Sequence, residues 1–277
     1  MEKRWFYLTI TALFLAACTS TRSSSVANGK DDGAIAVVAH RGYWNCAEAG
    51  YAQNSVAALK CAQEAGLWGS EFDVNMTKDE VLVVFHDNHT AGMKFEEHTY
   101  ADFADVRLKN GEPIPTLDDY LQQAQKCRTT KLVFELKAHS TPELEDRAIE
   151  LALQKLRKAK LLKPQRVMFI SFSLHACQRL AESAPGIDVQ YLGGNLFPTD
   201  VLTNKVPGID YHFGMFDSHP EWVQEAHSKG MSVNIWTVDK EEDLLRMLSL
   251  SPDQLTTNEP MRTRELMQKH GISEWTN

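Results

Sequence analysis

Four short polar clusters stand where apolar runs end: Ala39-His40-Arg41-Gly42, Glu71-Phe72-Asp73, Phe85-His86-Asp87 and Glu135-Leu136-Lys137. Together they hold two imidazoles, two cations and, besides Asp87, the three carboxylates of Glu71, Asp73 and Glu135. Glu71 and Asp73 lie two apart, so on a strand their side chains share one face. Two carboxylates turned into a buried interior are costly unless positive charge compensates them. A divalent cation does so, and Glu135 can add a third oxygen. All-oxygen ligation suits Ca²⁺ or Mg²⁺. The alternative is a purely structural role, with these acids matched to Arg41 and Lys137. His40 and His86 form a candidate acid–base pair, because imidazole titrates near neutrality. Arg41 and Lys137 supply positive charge for a phosphate. Asp87 either orients His86 or caps the next loop, and the capping role is the one expected.

Such residues must be carried by a scaffold that brings strand ends together. After residue 33, continuous apolar runs alternate with amphipathic stretches. Ala34–Ala39, Ser70–Met76, Lys131–Leu136, Arg166–Ser171, Asp188–Leu192, Ile209–Phe213, Ser232–Thr237 and Gln254–Thr257 read as strands buried on both faces. Helices are predicted over residues 55–65, 117–126, 142–159, 175–183, 220–229, 240–248 and 261–270, with Asn54 as N-cap of the first. Eight βα units predict an α/β fold of the (β/α)8 barrel type, with chemistry at the C-terminal strand ends. A doubly wound open sheet is the competing architecture. It calls for a glycine-rich phosphate turn that His40-Arg41-Gly42 does not provide. Val81–Phe85 follows the second strand too closely for a parallel crossover, so it is an extra hairpin strand. A turn centred between Lys78 and Asp79 sets His86 opposite Glu71, about 5 Å away at Cβ.

The 277 residues suffice for one large domain. A net charge of −8 and 24% charged residues argue against a nucleic-acid partner, and the mean hydropathy of −0.35 marks a globular body. Lys3 and Arg4, then the apolar Trp5–Leu15, then Leu15-Ala16-Ala17-Cys18, have the form of a lipoprotein leader over residues 1–18 with Cys18 as the lipidated residue. An ordinary secretory peptide is the alternative. Residues 19–32 read as a polar tether, and residues 33–277 as a single catalytic domain. This places the chain as an exported bacterial lipoprotein, periplasmic or at the cell surface, touching the membrane through its lipid alone. Cys46, Cys61, Cys127 and Cys177 allow three full pairings or none. Closing Cys46 to Cys61 would contribute roughly 3 kcal/mol.

His40-Arg41-Gly42, Gln53-Asn54-Ser55, Glu71-Phe72-Asp73-Val74, Thr77-Lys78-Asp79, His86-Asp87, Ile114-Pro115-Thr116-Leu117, Glu135-Leu136-Lys137 and Trp236-Thr237 occur in an order that resembles the glycerophosphodiester phosphodiesterases. The resemblance runs from about residue 34 to 262. It implies a barrel of the phosphatidylinositol-phospholipase-C-like kind, one divalent cation, and hydrolysis of glycerophosphodiesters to sn-glycerol 3-phosphate and an alcohol. It implies His40 and His86 as the catalytic pair and Glu71, Asp73 and Glu135 as metal ligands. Arg41 and Lys137 would contact phosphate, and Trp236 would face substrate. Gln53 departs from the glutamate usual in that family, which points to an altered substrate or metal preference. The short return from His86 to Glu135 leaves no room for a large subdomain over the pocket. Among the other histidines, His212, with Asp217, is the expected exception to a bland role. Two competing functions are a surface lipoprotein that binds a phosphorylated ligand without turnover, and a phospholipase acting on intact lipid.

Overall fold

The computed structural model describes residues 33–276. The leader (1–18, with Cys18) and the tether (19–32) lie outside the described residues. The described residues form eleven strands: β1 (Ala36–Ala39), β2 (Gly69–Met76), β3 (Leu82–Val84), β4 (His89–Thr90), β5 (Met93–Lys94), β6 (Lys131–Leu136), β7 (Val167–Ser171), β8 (Val189–Tyr191), β9 (Gly208–His212), β10 (Ser232–Trp236) and β11 (Gln254–Thr257). The helices are α1 (Val56–Glu64), α2 (Leu117–Ala124), α3 (Pro142–Lys158), α4 (Leu174–Ser183), α5 (Pro198–Thr203), α6 (Phe213–Ser218), α7 (Glu221–Ser228), α8 (Glu241–Leu248) and α9 (Pro260–His270).

Eight strands pair in parallel in the order β1-β2-β6-β7-β8-β9-β10-β11, and β1 also pairs with β11. That last pairing closes the ring and excludes the open doubly wound sheet. The expected strands all form, and the seven expected helices agree to within two residues at their ends. The short α5 and α6 were not expected; with six residues each, they are too brief to show a helical period. The N-cap of α1 is Ser55, whose hydroxyl accepts from Ala58 N–H, and not Asn54.

Strand pleating sorts the side chains into two sets. Val37, Phe72, Phe134, Phe169, Ile209, Val233 and Leu255 point out and join the large core under the helices. Ala36, Val38, Val133, Met168, Ile170 and Leu192 point in and fill the barrel. The same inward phase continues to the strand ends, where it reaches His40, Glu71, Asp73, Glu135 and Trp236. A sequence buried on both faces thus still assigns each residue to helix layer or lumen by parity.

β3 lies outside the ring, antiparallel to the far half of β2. It occupies the flank of β2 that β1, ending at Ala39, leaves open. The expected register is off by one. Val74 pairs with Val84, which extrapolates to His86 opposite Phe72 rather than Glu71. The ladder ends at the bond from Phe85 N–H to the Asp73 carbonyl, 3.0 Å. His86 therefore leaves the pleat before the shift could turn it away from the rim. Beyond it, β4, β5 and two 3₁₀ turns form a small cap, packed on Val83, Phe95, Phe103 and Ile114. Cys46, Cys61, Cys127 and Cys177 are free thiols.

Candidate active site

The turn after β1 builds one wall. Arg41 and Gly42 both take left-handed backbone conformations, φ 54° and 79°. This turns the Arg41 N–H onto Glu71 Oε2 at 2.7 Å and the Gly42 N–H onto the Glu71 carbonyl at 2.9 Å. A Cβ at Gly42 would lie 2.7 Å from that of Ala58, so only glycine lets the turn sit on α1. The Arg41 side chain gives one N–H to Gln53 Oε1 at 2.7 Å, and its Nε lies 3.8 Å from Asp73.

Glu71, Asp73 and Glu135 are buried, and one oxygen from each lies within 4.8 Å of the others. Neighbouring β2 and β6 pair Asp73 with Glu135, which sets the spacing. Asn54 clasps Asp73 twice: its amide donates to Oδ2 at 2.8 Å, and its oxygen accepts the Asp73 N–H at 3.1 Å. Lys137 Nζ bridges Glu135 at 2.7 Å and Asp73 at 3.2 Å. Burial, reinforced by Asp73 and Glu135, pushes the Glu71 carboxyl well above its usual range. Burial and then Asp73 raise Glu135 to about 7. Asp73 is lowered: burial opposes its charge, but Lys137, His86 and Asn54 outweigh it. Burial would lower Lys137, but Glu135 and Asp73 raise it. Three acids thus face too few cations, and Glu71 Oε1 is buried with no hydrogen-bond partner among the described residues. A hard dication fits such a donor set, since it would neutralise the excess charge and use the idle oxygen.

His40 and His86 line one cavity of about 130 Å³, together with Arg41, Glu71 and Glu135. Two residues not singled out from sequence hold His40. Asn258 Oδ1 lies 2.9 Å from His40 Nδ1 and accepts Trp44 Nε1–H at 2.9 Å, while its amide nitrogen donates to Asp239 at 2.8 Å. Indole nitrogen only donates, so the Asn258 oxygen must accept. His40 then carries its proton on Nδ1, leaving Nε2 basic. Burial, then Arg41, lower His40 to about 4, so the ring is neutral near pH 7. His86 is more open, and burial lowers it against the pull of Asp73. Its Nδ1 lies 2.7 Å from Asp87 Oδ1, so Asp87 orients this ring rather than serving as a loop cap.

Ile170, Phe172, Leu192 and Trp236 form an apolar wall opposite. Trp236 donates its indole N–H to the Asp210 carbonyl at 2.8 Å and meets Phe172 edge to face. Lys137 sits against the carboxylates of Asp73 and Glu135, 5.9 Å from the Phe172 ring, and is not one of the residues that line the cavity. His212 packs against Trp236, and Asp217 pairs with Arg246 at the surface, so neither joins the cavity. Asp210, buried on the cavity floor, was also missed. No spacing marks Asn258, Asp239 or Asp210; each sits on or just past a later strand, and only ring closure brings it to His40 or the lumen.

Residues 40–262 match the glycerophosphoryl diester phosphodiesterase family. The chain belongs to that family. It is a phosphoric diester hydrolase on a family barrel. A glycerophosphodiester phosphodiesterase of Caldanaerobacter subterraneus subsp. tengcongensis is 28% identical over 250 residues, covering 85% of this chain and 98% of the relative. The crystal structure of a glycerophosphodiester phosphodiesterase from Parabacteroides distasonis is 40% identical, with a TM-score of 0.82 over 86% of this chain and 98% of that one. An Oleispira antarctica phosphodiesterase, solved with the product sn-glycerol-3-phosphate, shares the fold at 22% identity and a TM-score of 0.73, covering 86% of this chain and 98% of that one.

Proposed function

We propose that this family member hydrolyses glycerophosphodiesters to sn-glycerol 3-phosphate and an alcohol, with His40 and His86 moving the protons. One divalent cation, Ca²⁺ or Mg²⁺, would be held by Glu71, Asp73 and Glu135. When bound it would supply Lewis-acid stabilisation of charge on the phosphoryl oxygens. The observation that carries this reading is the single cavity in which both imidazoles, Arg41 and two buried carboxylates meet. His40, neutral and with a basic Nε2, takes the proton of the attacking hydroxyl. His86, held by Asp87, gives a proton to the oxygen released when its bond to phosphorus breaks. Both rings then reset by exchange with solvent. Arg41 draws the diester charge toward the carboxylate cluster, and Trp236 with Phe172 covers the carbon skeleton. The same proton inventory serves attack by water or by the substrate's neighbouring hydroxyl; a cyclic glycerophosphate trapped during turnover identifies the second.

Phe172, about 44% exposed, is the one large exposed hydrophobic that lines the cavity among the described residues. A rim this sparse favours a soluble diester over an intact lipid. The test is turnover of glycerophosphocholine, with chelator and with metal restored, in wild type, His40→Ala and His86→Ala. Loss in both variants with folding intact supports the roles; normal rates in either overturn them. Anchoring by a lipid on Cys18 belongs to the same proposal. Cys18→Ser should release active enzyme from membranes, and unchanged membrane retention counts against it.

A further inference from the structure

The cavity beside His40 and His86, at about 130 Å³, is smaller than the roughly 300 Å³ at which pockets begin to enclose a whole small ligand. A diester has two substituents on its phosphate, so one of them must lie outside. A second cavity of about 420 Å³ shares no lining residue with the first, but residues of the two are linked directly. The links are three. Gln53, in the second, accepts from Arg41 in the first. Trp44, in the second, shares Asn258 with His40. Phe85, in the second, precedes His86 in the chain.

We propose that this second cavity receives the alcohol that leaves, and that it selects an uncharged or anionic polyol over a choline-type cation; the proposal rests on the phosphodiesterase reading above. Its aromatic surfaces are Trp44, Tyr51 and Phe85, and its polar groups include Gln53, Arg107 and Lys109. Aromatic faces alone would suit a quaternary ammonium. Here Lys109 Nζ already stands 5.2 Å from the centre of the Tyr51 ring, Arg107 adds a second positive charge, and among the described residues no carboxylate lines the groove. A ring bearing hydroxyls can lay its C–H face on the aromatics and offer oxygens to the cations. The Gln53 oxygen is committed to Arg41, which leaves its amide N–H groups to donate. A glutamate there would put a negative charge between phosphate site and groove; glutamine keeps both positive.

The groove is built before substrate arrives. Its two banks are the loop after β1 and the returning edge of the cap. Asn110 donates to the Ala49 carbonyl at 3.2 Å, and the Glu112 carboxylate accepts the Val56 and Ala57 N–H groups at the start of α1. The banks touch so closely that a Cβ at Gly50 would fall 2.6 Å from Asn110 Cβ.

The test compares kcat/KM for glycerophosphoinositol and glycerophosphocholine in wild type, Lys109→Glu and Tyr51→Ala, with inhibition by sn-glycerol 3-phosphate reporting on the inner cavity. Wild type should favour the inositol diester by about ten-fold, the size of two partly screened charges acting on one cation. Lys109→Glu should erase that preference, and Tyr51→Ala should raise KM for the inositol diester, with product inhibition unchanged in both. A wild-type preference for the choline diester, or an unaltered ratio in Lys109→Glu, overturns the assignment of the groove alone. No turnover of either diester overturns the phosphodiesterase reading beneath it.

Discussion

Glu135→Gln should make the metal-free protein more stable at pH 8 while removing a ligand of the proposed metal site. Glu135 is buried beside Asp73, and its carboxyl rises from an ordinary 4.5 to about 7. Between those values the folded state holds a proton that the unfolded chain has lost. Stability must therefore fall as pH rises through that window, and the penalty is complete above pH 7. At about 1.4 kcal/mol per pKa unit, the penalty is about 3 kcal/mol. Glutamine mimics the protonated acid at every pH, so the variant should match wild type near pH 4 and exceed it by up to about 3 kcal/mol at pH 8. Lys137 keeps Asp73 as a partner at 3.2 Å, so the substitution does not orphan its charge. Urea unfolding in chelator at both pH values reads the difference through the midpoint at constant slope. Added Ca²⁺ or Mg²⁺ should then stabilise wild type and leave the variant unmoved. A variant less stable than wild type at pH 8 in chelator would refute the reasoning. It would mean that Glu135 and Lys137 form a net stabilising ion pair and that the acids are structural.

Metal affinity should tighten as pH rises toward 7, because Glu71 and Glu135 are raised and must shed protons to bind; calorimetry in buffers of differing ionisation heat should detect the released protons, and pH-independent affinity would contradict this. Asn258→Leu should lower kcat by roughly ten- to hundred-fold, the usual cost of losing a group that orients a ring, with the fold intact; nitrogen-15 shifts of His40 should show the Nδ1–H tautomer in wild type and a mixture in the variant. Gly42→Ala should cost about 2 kcal/mol or more, since a left-handed φ and a 2.7 Å approach to Ala58 both exclude a Cβ; an unchanged melting temperature would contradict the turn geometry.

Local signals carried the scaffold far. Strands buried on both faces read as apolar runs, and the polar clusters at their ends marked Glu71, Asp73, Glu135, His40 and Arg41 because a charged group closing such a run is conspicuous. His86 came to the right rim by an argument with the wrong register. The Phe85–Asp73 bond ends the ladder before the one-residue shift matters. The role of Asp87 is not legible in the sequence for a related reason: whether a side chain turns to its neighbour or to a loop depends on the bend after β3.

Residue type and spacing alone determined the eight βα units, the pair of same-face acids and the candidate proton carriers, because strand periodicity and side-chain chemistry are local properties. Only tertiary structure decided that β1 meets both β2 and β11, and that closure delivers Asn258, Asp239 and Asp210 to a site whose first residue lies some 200 positions earlier. The neutrality of His40 and the raised carboxyl of Glu135 were likewise settled there. They arise from burial and from charges on other strands, which a linear sequence does not express.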